Sequence, residues 1–248
     1  MRWNRTQRLR AGYLVLLGAV AVGQITPQPA AQAPQAPQSQ NVTPVPTHAP
    51  ALLIMIDPAH GGTDSGAALN AAFPEKDVTL VLARRLRREL LIRGIQSQLM
   101  RDADLMLSSD QRASQVNALQ PFFYLVIHAT SQGSGLRLFT AMLPLGEDNR
   151  GSFVDWPTAQ AASLARSRLV QEQITGSIHS TGFPVRGFTA PLRPLNNVIV
   201  PAMAVEVAPT TGNISQLASS DYQQMVCAVL ANGIASAMPL LTRAGRGQ

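Results

Sequence analysis

The apolar positions of this chain fall into short dense runs that alternate with helical periodicities. Leu52–Ile56 is an unbroken apolar run and reads as a buried strand; Asp57 and Pro58 close it, and Gly61-Gly62 permit a sharp turn. A loop, Thr63–Phe73, leads to Pro74-Glu75-Lys76-Asp77, which opens a helix. Proline suits a first helical turn, and acidic groups favour a helix amino end. Val78, Leu82, Leu86 and Leu90 then recur at helical spacing, with Arg84, Arg85, Arg87 and Arg88 on the solvated side. Gly94 ends that helix. Ile95–Met100 reads as a strand and Arg101–Asp104 as a loop. Ser108 caps a helix over Ser109–Leu119, which Pro121 breaks. Phe122–Ile127 is another fully apolar strand, and His128 follows it directly.

Strand, helix, strand, helix, strand implies right-handed crossovers and a largely parallel α/β sheet covered on both faces. Beyond it, Leu136–Met142 reads as a strand and Leu143–Pro157 as an irregular connection. Thr158–Gly176 reads as a helix. Gly182–Pro194 reads as a loop carrying Arg186 and Arg193. Ile199–Val207 reads as the last buried strand, Thr210–Ser220 as a polar loop, and Asp221–Met238 as the closing helix. There is no internal repeat.

The amino terminus breaks this pattern. Arg2, Arg5, Arg8 and Arg10 precede the apolar run Ala11–Gly23, which is short for a membrane span. A basic stretch, an apolar core and small residues after it describe a secretory signal cleaved near Gly23, or a membrane anchor if uncleaved. No cysteine follows the run, which excludes a lipoprotein. Gln24–Pro50 is rich in Pro, Gln and Ala and reads as a disordered tether, with His48 a bystander in it. The expected organisation is therefore 1–23 signal or anchor, 24–50 linker, 51–242 folded domain and 243–248 loose tail.

Charge changes the picture less than its total suggests. The chain carries 20 Lys and Arg against 14 Asp and Glu, a net charge of +6. Four of those cations sit in the amino-terminal run, so the folded part is nearly neutral and shows no nucleic-acid footprint. Cys227 is the single cysteine, so no disulfide forms within one chain. It lies in an apolar helical pattern and reads as buried and inert.

Candidate chemistry gathers where strands end. His60, His128 and Glu206 each fall at the end of a predicted central strand, and Glu75 opens a helix on the same side of the sheet. Open α/β sheets place their sites at the carboxyl ends of strands. Two imidazoles and a carboxylate are a catalytic ligand set for zinc, with a further position left for water. A second carboxylate would move the proton from that water to the leaving nitrogen. Each residue also has a plainer reading. A histidine after a strand can be structural, and Glu75 can serve only the helix dipole. Glu206, inside VPAMAVEV, would be costly to bury without a partner. Arg193 can grip substrate carboxylates or lie in solvent. Asp57 can support the metal loop or cap the turn, and His179, in GSIHS, reads as an uninvolved loop residue.

IDPAHGG, PEKDV, MRDADLMLSSDQRASQVNA, YLVIHAT and PAMAVEV follow one another in this order. In that order they resemble the zinc-dependent N-acetylmuramoyl-L-alanine amidases, over about Leu52 to Leu240. The resemblance implies a single domain with a mostly parallel, mixed sheet of about six strands, helices on both faces, and a zinc site at the carboxyl ends of the strands. It implies His60, Glu75 and His128 as zinc ligands and Glu206 as the catalytic carboxylate. The substrate it implies is the amide between N-acetylmuramic acid and L-alanine in peptidoglycan. The amino-terminal signal places the protein, expected as a monomer, in the periplasm or cell envelope, or anchored to the inner membrane. No motif identifies an activator protein. Three departures stand out. Ala59 replaces a usual Gly, HAT replaces HAN at Thr130, and Val207–Asn213 reads VAPTTGN where LGFLSN is usual. The segment Leu143–Pro157 is too short for the long inhibitory helix of some members, so an open cleft, or one gated by other means, is expected. Two other readings use the same pattern: a wall-binding module without turnover, and a nucleotide-binding α/β domain. The latter lacks any GxGxxG or Walker-type loop.

Overall fold

The computed structural model describes residues 52–69, 74–143 and 155–243. The expected signal or anchor, the linker, the loose tail and most of the Leu143–Pro157 connection lie outside the described residues. Among the described residues, six strands form one mixed sheet in the order β2-β1-β3-β6-β4-β5. β1 (Ile54–Pro58), β2 (Ser97–Leu99), β3 (Phe123–Ala129) and β6 (Ala202–Ala208) run parallel. β4 (Gly135–Ala141) lies antiparallel to β6, and β5 (Val185–Ala190) lies parallel to β4. The helices are α1 (Glu75–Ile92), α2 (Ser109–Leu119), α3 (Ala161–His179) and α4 (Ser220–Arg243).

Over Ile54–Ile56, Phe123–Ile127 and Ala202–Val205 the central strands are apolar on every residue, because both their faces are covered there. Ile54, Ile56, Leu125, Ile127, Met203 and Val205 share one core with residues of α1, α3 and α4. The alternate residues Met55, Tyr124, Val126, Ala202 and Ala204 share a second core with Ala113 and Val116 of α2 and the segment Leu195–Val200. On α1, Val78, Leu82, Leu86 and Leu90 are buried as their spacing requires. α2 begins at a capping box: Ser108 Oγ accepts from Gln111 N, and the Gln111 side chain accepts from Ser108 N. Such a cap contributes about 0.5–2 kcal/mol. α4 is long and apolar enough to cross a bilayer. Yet Val226, Leu230, Ile234 and Ala237 are buried in the core it shares with α1 and α3, as in a core helix of a folded domain. Cys227 is buried there too, and burial pushes its thiol up to about 12, which leaves it inert.

The segment read as the loop Gly182–Pro194 contains β5 instead. Its residues are largely exposed because it is the edge strand, so VRGFTA lacks the apolar signature of a covered strand. His179 is the last residue of α3 rather than a loop residue. α4 continues past Met238, through Pro239, to Arg243.

Candidate metal centre

The turn after β1 is shaped by residues that are far apart in sequence. His60 has φ +63°, in the left-handed region, and Gly61 follows at φ +134°. A Cβ on Gly61 would lie 2.2 Å from Leu105 O, so only glycine fits. Two arginines hold the carbonyls of this turn. Arg101 donates to Pro58 O and Ala59 O, at 3.0 Å each. Arg112 donates to Pro58 O at 3.2 Å and to His60 O at 2.8 Å. Arg112 is also ion-paired to Asp57, which accepts a second bond from Tyr124 Oη. Asp57 is fully buried. Burial pushes its carboxyl up, and Arg112 and Tyr124 counter that. Asp57 thus supports the metal loop indirectly, through Arg112, rather than capping the turn itself. It is the buried anchor of Arg112. Ala59 is not among the described residues with positive φ, so its methyl is accommodated without backbone strain.

This turn aims His60 at two other groups. Glu75, first residue of α1, reaches over the end of the sheet. Its Oε1 lies 2.8 Å from His128 Nδ1 and accepts from Ala129 N at 3.1 Å. Its Oε2 lies 3.2 Å from His60 Nε2 and accepts from Ala67 N at 2.9 Å. The two imidazole centroids are 5.3 Å apart. One ligand atom from each of His60, Glu75 and His128 falls within 4.8 Å of the others. Ligands of a tetrahedral zinc with bonds near 2.0–2.1 Å stand about 3.3 Å apart, so the donor set and its spacing fit that ion. Burial alone would raise the Glu75 carboxyl, but hydrogen bonds from His128 and His60 outweigh it and hold the group far below its ordinary value. The hydrogen bond to Glu75 raises the His60 imidazole above its ordinary value, burial opposes that, and Asp64 adds to the rise.

Asp64 is a residue that the sequence reading missed. Its Oδ2 lies 2.9 Å from His60 Nδ1, which leaves Nε2 directed at Glu75. A carboxylate behind a metal-facing imidazole fixes its tautomer and orientation. The available signal was an acid four residues beyond His60 in a glycine-rich turn. Gly66 closes the other side. A Cβ there would lie 2.6 Å from His60 Cδ2 and 2.7 Å from Glu75 Oε2, at φ +69°. Gly66→Ala is therefore expected to weaken zinc binding by roughly 10–100-fold, the usual cost of disturbing residues that orient ligands. Competition with a chromophoric chelator measures this; an unchanged affinity would show that the contact is harmless.

Glu206 is not in the three-residue cluster. It lies on β6 directly beside His128 of β3, so both side chains leave the same face of the sheet. It is also not an orphaned buried carboxylate. Its side chain is 24% exposed, and Arg137 of β4, its register partner, donates to its Oε2 at 2.7 Å. The cost expected from its apolar surroundings is therefore met by an ion pair at the rim of the sheet. Arg137, a charge within an otherwise apolar strand, is the same kind of signal as Glu206. A cleft of about 270 Å³ opens over the cluster, lined among others by His60, Asp64, Met106, His128 and Arg193. Arg193 is exposed on the wall of this cleft and forms no ion pair with a described residue.

Comparison with known proteins identifies relatives of this chain. The family model Amidase_3, N-acetylmuramoyl-L-alanine amidase, matches residues 54–236. The sporulation-specific N-acetylmuramoyl-L-alanine amidase of Bacillus subtilis is 30% identical over 199 residues, covering 78% of this chain and 71% of that protein. The amidase CwlM of Bacillus licheniformis is 29% identical over 194 residues, covering 75% and 69%. Among solved structures, the amidase AmiC2 of Nostoc punctiforme superposes with a TM-score of 0.57 at 26% identity, covering 76% of this chain and 98% of that one. Ami1 of Mycobacterium smegmatis shares the fold, with a TM-score of 0.60 at 19% identity, covering 76% and 97%. With a family model spanning most of the folded part, this chain belongs to the N-acetylmuramoyl-L-alanine amidase family.

Proposed function

We propose that this protein is a zinc-dependent amidase that hydrolyses the bond between N-acetylmuramic acid and L-alanine in peptidoglycan. The observation that carries the reading is the meeting of His60, Glu75 and His128 at the carboxyl edge of the parallel strands, with Glu206 on the strand beside His128. His60 Nε2, His128 Nδ1 and the Glu75 carboxylate would hold the ion. Bound there, zinc would supply Lewis-acid chemistry, polarising the scissile carbonyl and activating a water for attack. Asp64 accepts from His60 Nδ1–H and keeps the other nitrogen free to ligate. The Glu206 carboxylate takes the water's proton and delivers it to the leaving amide nitrogen. Arg137 holds Glu206 Oε2, which restricts its rotamers and leaves Oε1 for the proton. Arg193, on the cleft wall, would meet a substrate carboxylate through a bidentate contact.

A wall substrate requires export. The four arginines ahead of Ala11–Gly23 support delivery to the periplasm or cell envelope, with a tether to the inner membrane if the segment is retained.

The test is release of stem peptides from isolated sacculi by the purified full-length chain, with zinc and with a chelator. Glu206→Gln is expected to cut release by about 10²–10⁴-fold, the usual worth of a general base, while zinc content stays unchanged. Release that ignores the chelator, or that survives Glu206→Gln, rejects the mechanism. Retention on sacculi without any peptide release by the wild type would instead favour a wall-binding module.

A further inference from the structure

The register of the sheet lines up more than the metal-edge pair. His128 on β3 is paired with Glu206 on β6, Glu206 with Arg137 on β4, and Arg137 with Arg186 on β5. Register partners project from the same face, so these four form one row across the sheet. Its polarity is uneven. Two arginines stand side by side, and like charges directly opposed on neighbouring strands destabilise a sheet. Glu206 neutralises Arg137. Arg186 is exposed and has no ion pair among the described residues. Both arginines line a concavity of about 630 Å³ at this end of β4 and β5, together with Ser134, His179, Phe183 and Phe188. The cavity thus offers an unneutralised guanidinium beside apolar and aromatic surface.

We propose that Arg186, with the remaining donors of Arg137, forms a carboxylate subsite for the peptide leaving group of the substrate. This inference rests on the amidase reading. Two arguments choose the peptide rather than the glycan side. The lactyl carboxyl of N-acetylmuramic acid is consumed in the scissile amide, so the remaining free carboxylates belong to the peptide. Distance agrees. Strands are spaced about 4.8 Å apart, so Arg186 stands about 10 Å from Glu206 and about 14 Å from His128 along the row. An extended peptide advances about 3.3 Å per residue, and an arginine side chain covers part of the gap. The group it meets is a carboxylate one to three residues beyond the bond that is cut. Arg186 presents a planar fork suited to bidentate recognition of that carboxylate, which a lysine would not reproduce.

The test uses the zinc-loaded full chain and two synthetic muramoyl tripeptides. One carries free carboxyls on its second and third residues; in the other they are amidated. The wild type is expected to favour the free acid by at least tenfold in kcat/KM. Arg186→Gln should erase that preference by lowering turnover of the free acid alone, and Arg186→Lys should restore only part of it. Arg186 is exposed on an edge strand, so these variants should fold. Equal losses on both substrates, or a wild type without preference, overturn the proposal. Calorimetry with the free tripeptide and its amidated form separates this subsite from catalysis. If neither substrate is cut, the amidase reading fails, but a tenfold binding preference that Arg186→Gln removes would still establish the subsite. Equal binding of both peptides would end it.

Discussion

Glu75→Gln is expected to strip the protein of both its metal and its activity. Glu75 is the hub of the cluster: one oxygen faces His128 and Ala129 N, the other His60 and Ala67 N. An amide of the same size keeps two of these acceptor positions at most, and it brings donors where metal and imidazoles need an acceptor. It also removes the negative charge that offsets a divalent cation in a mostly buried position, Glu75 being 4% exposed. Structural zinc sites are worth about 10–16 kcal/mol, so losing one of three protein ligands costs roughly 3–5 kcal/mol, on the order of a thousandfold in Kd. Elemental analysis after dialysis should fall from about one zinc per chain to a small fraction. Stem-peptide release should fall in parallel. A variant that keeps its zinc but loses activity would assign Glu75 to proton transfer instead and would exchange its role with that of Glu206.

The second large effect is on stability. Arg112→Met should destabilise the protein by about 3–5 kcal/mol, the cost of breaking a buried ion pair by removing one partner. Asp57 would be left in the core with Tyr124 as its remaining side-chain partner, and Pro58 O and His60 O would each lose a charged donor. For a domain of this size the loss corresponds to a fall in Tm of roughly 6–20 °C. The double variant Asp57→Asn/Arg112→Met should recover part of it, because no uncompensated charge remains. Zinc affinity should fall as well, since Arg112 helps to hold His60 at positive φ. Thermal denaturation of the four forms of the cycle checks the pairing. Additive losses would show that Asp57 and Arg112 are not energetically coupled.

The difference between these two effects reflects what each part of the site depends on. His60 and His128 follow apolar runs, and Glu75 follows a proline at a helix start. These are local patterns, and the strands and helix formed where they indicate. Ser109–Leu119 was bounded by a serine cap and a proline break, and α2 has those limits. Arg112 sat in that helix as one more polar residue. Nothing nearby in sequence announces that its guanidinium crosses to Asp57 and holds the histidine turn. β5 escaped notice for a related reason: an edge strand exposes most of its residues, so it need not be apolar.

By itself the sequence determined which segments are buried and where they stop, because periodicity and chain-terminating residues act within a few positions. It thereby put two histidines and two glutamates at the ends of elements, with chemistry suited to a metal. Only the tertiary structure decided which of them meet. The antiparallel entry of β4 set Arg137 against Glu206, and the reach of α2 brought Arg112 to Asp57. Strand order, direction and register are chosen by contacts between residues far apart along the chain. Those contacts lower the free energy only once the whole sheet has formed, so no local stretch records them.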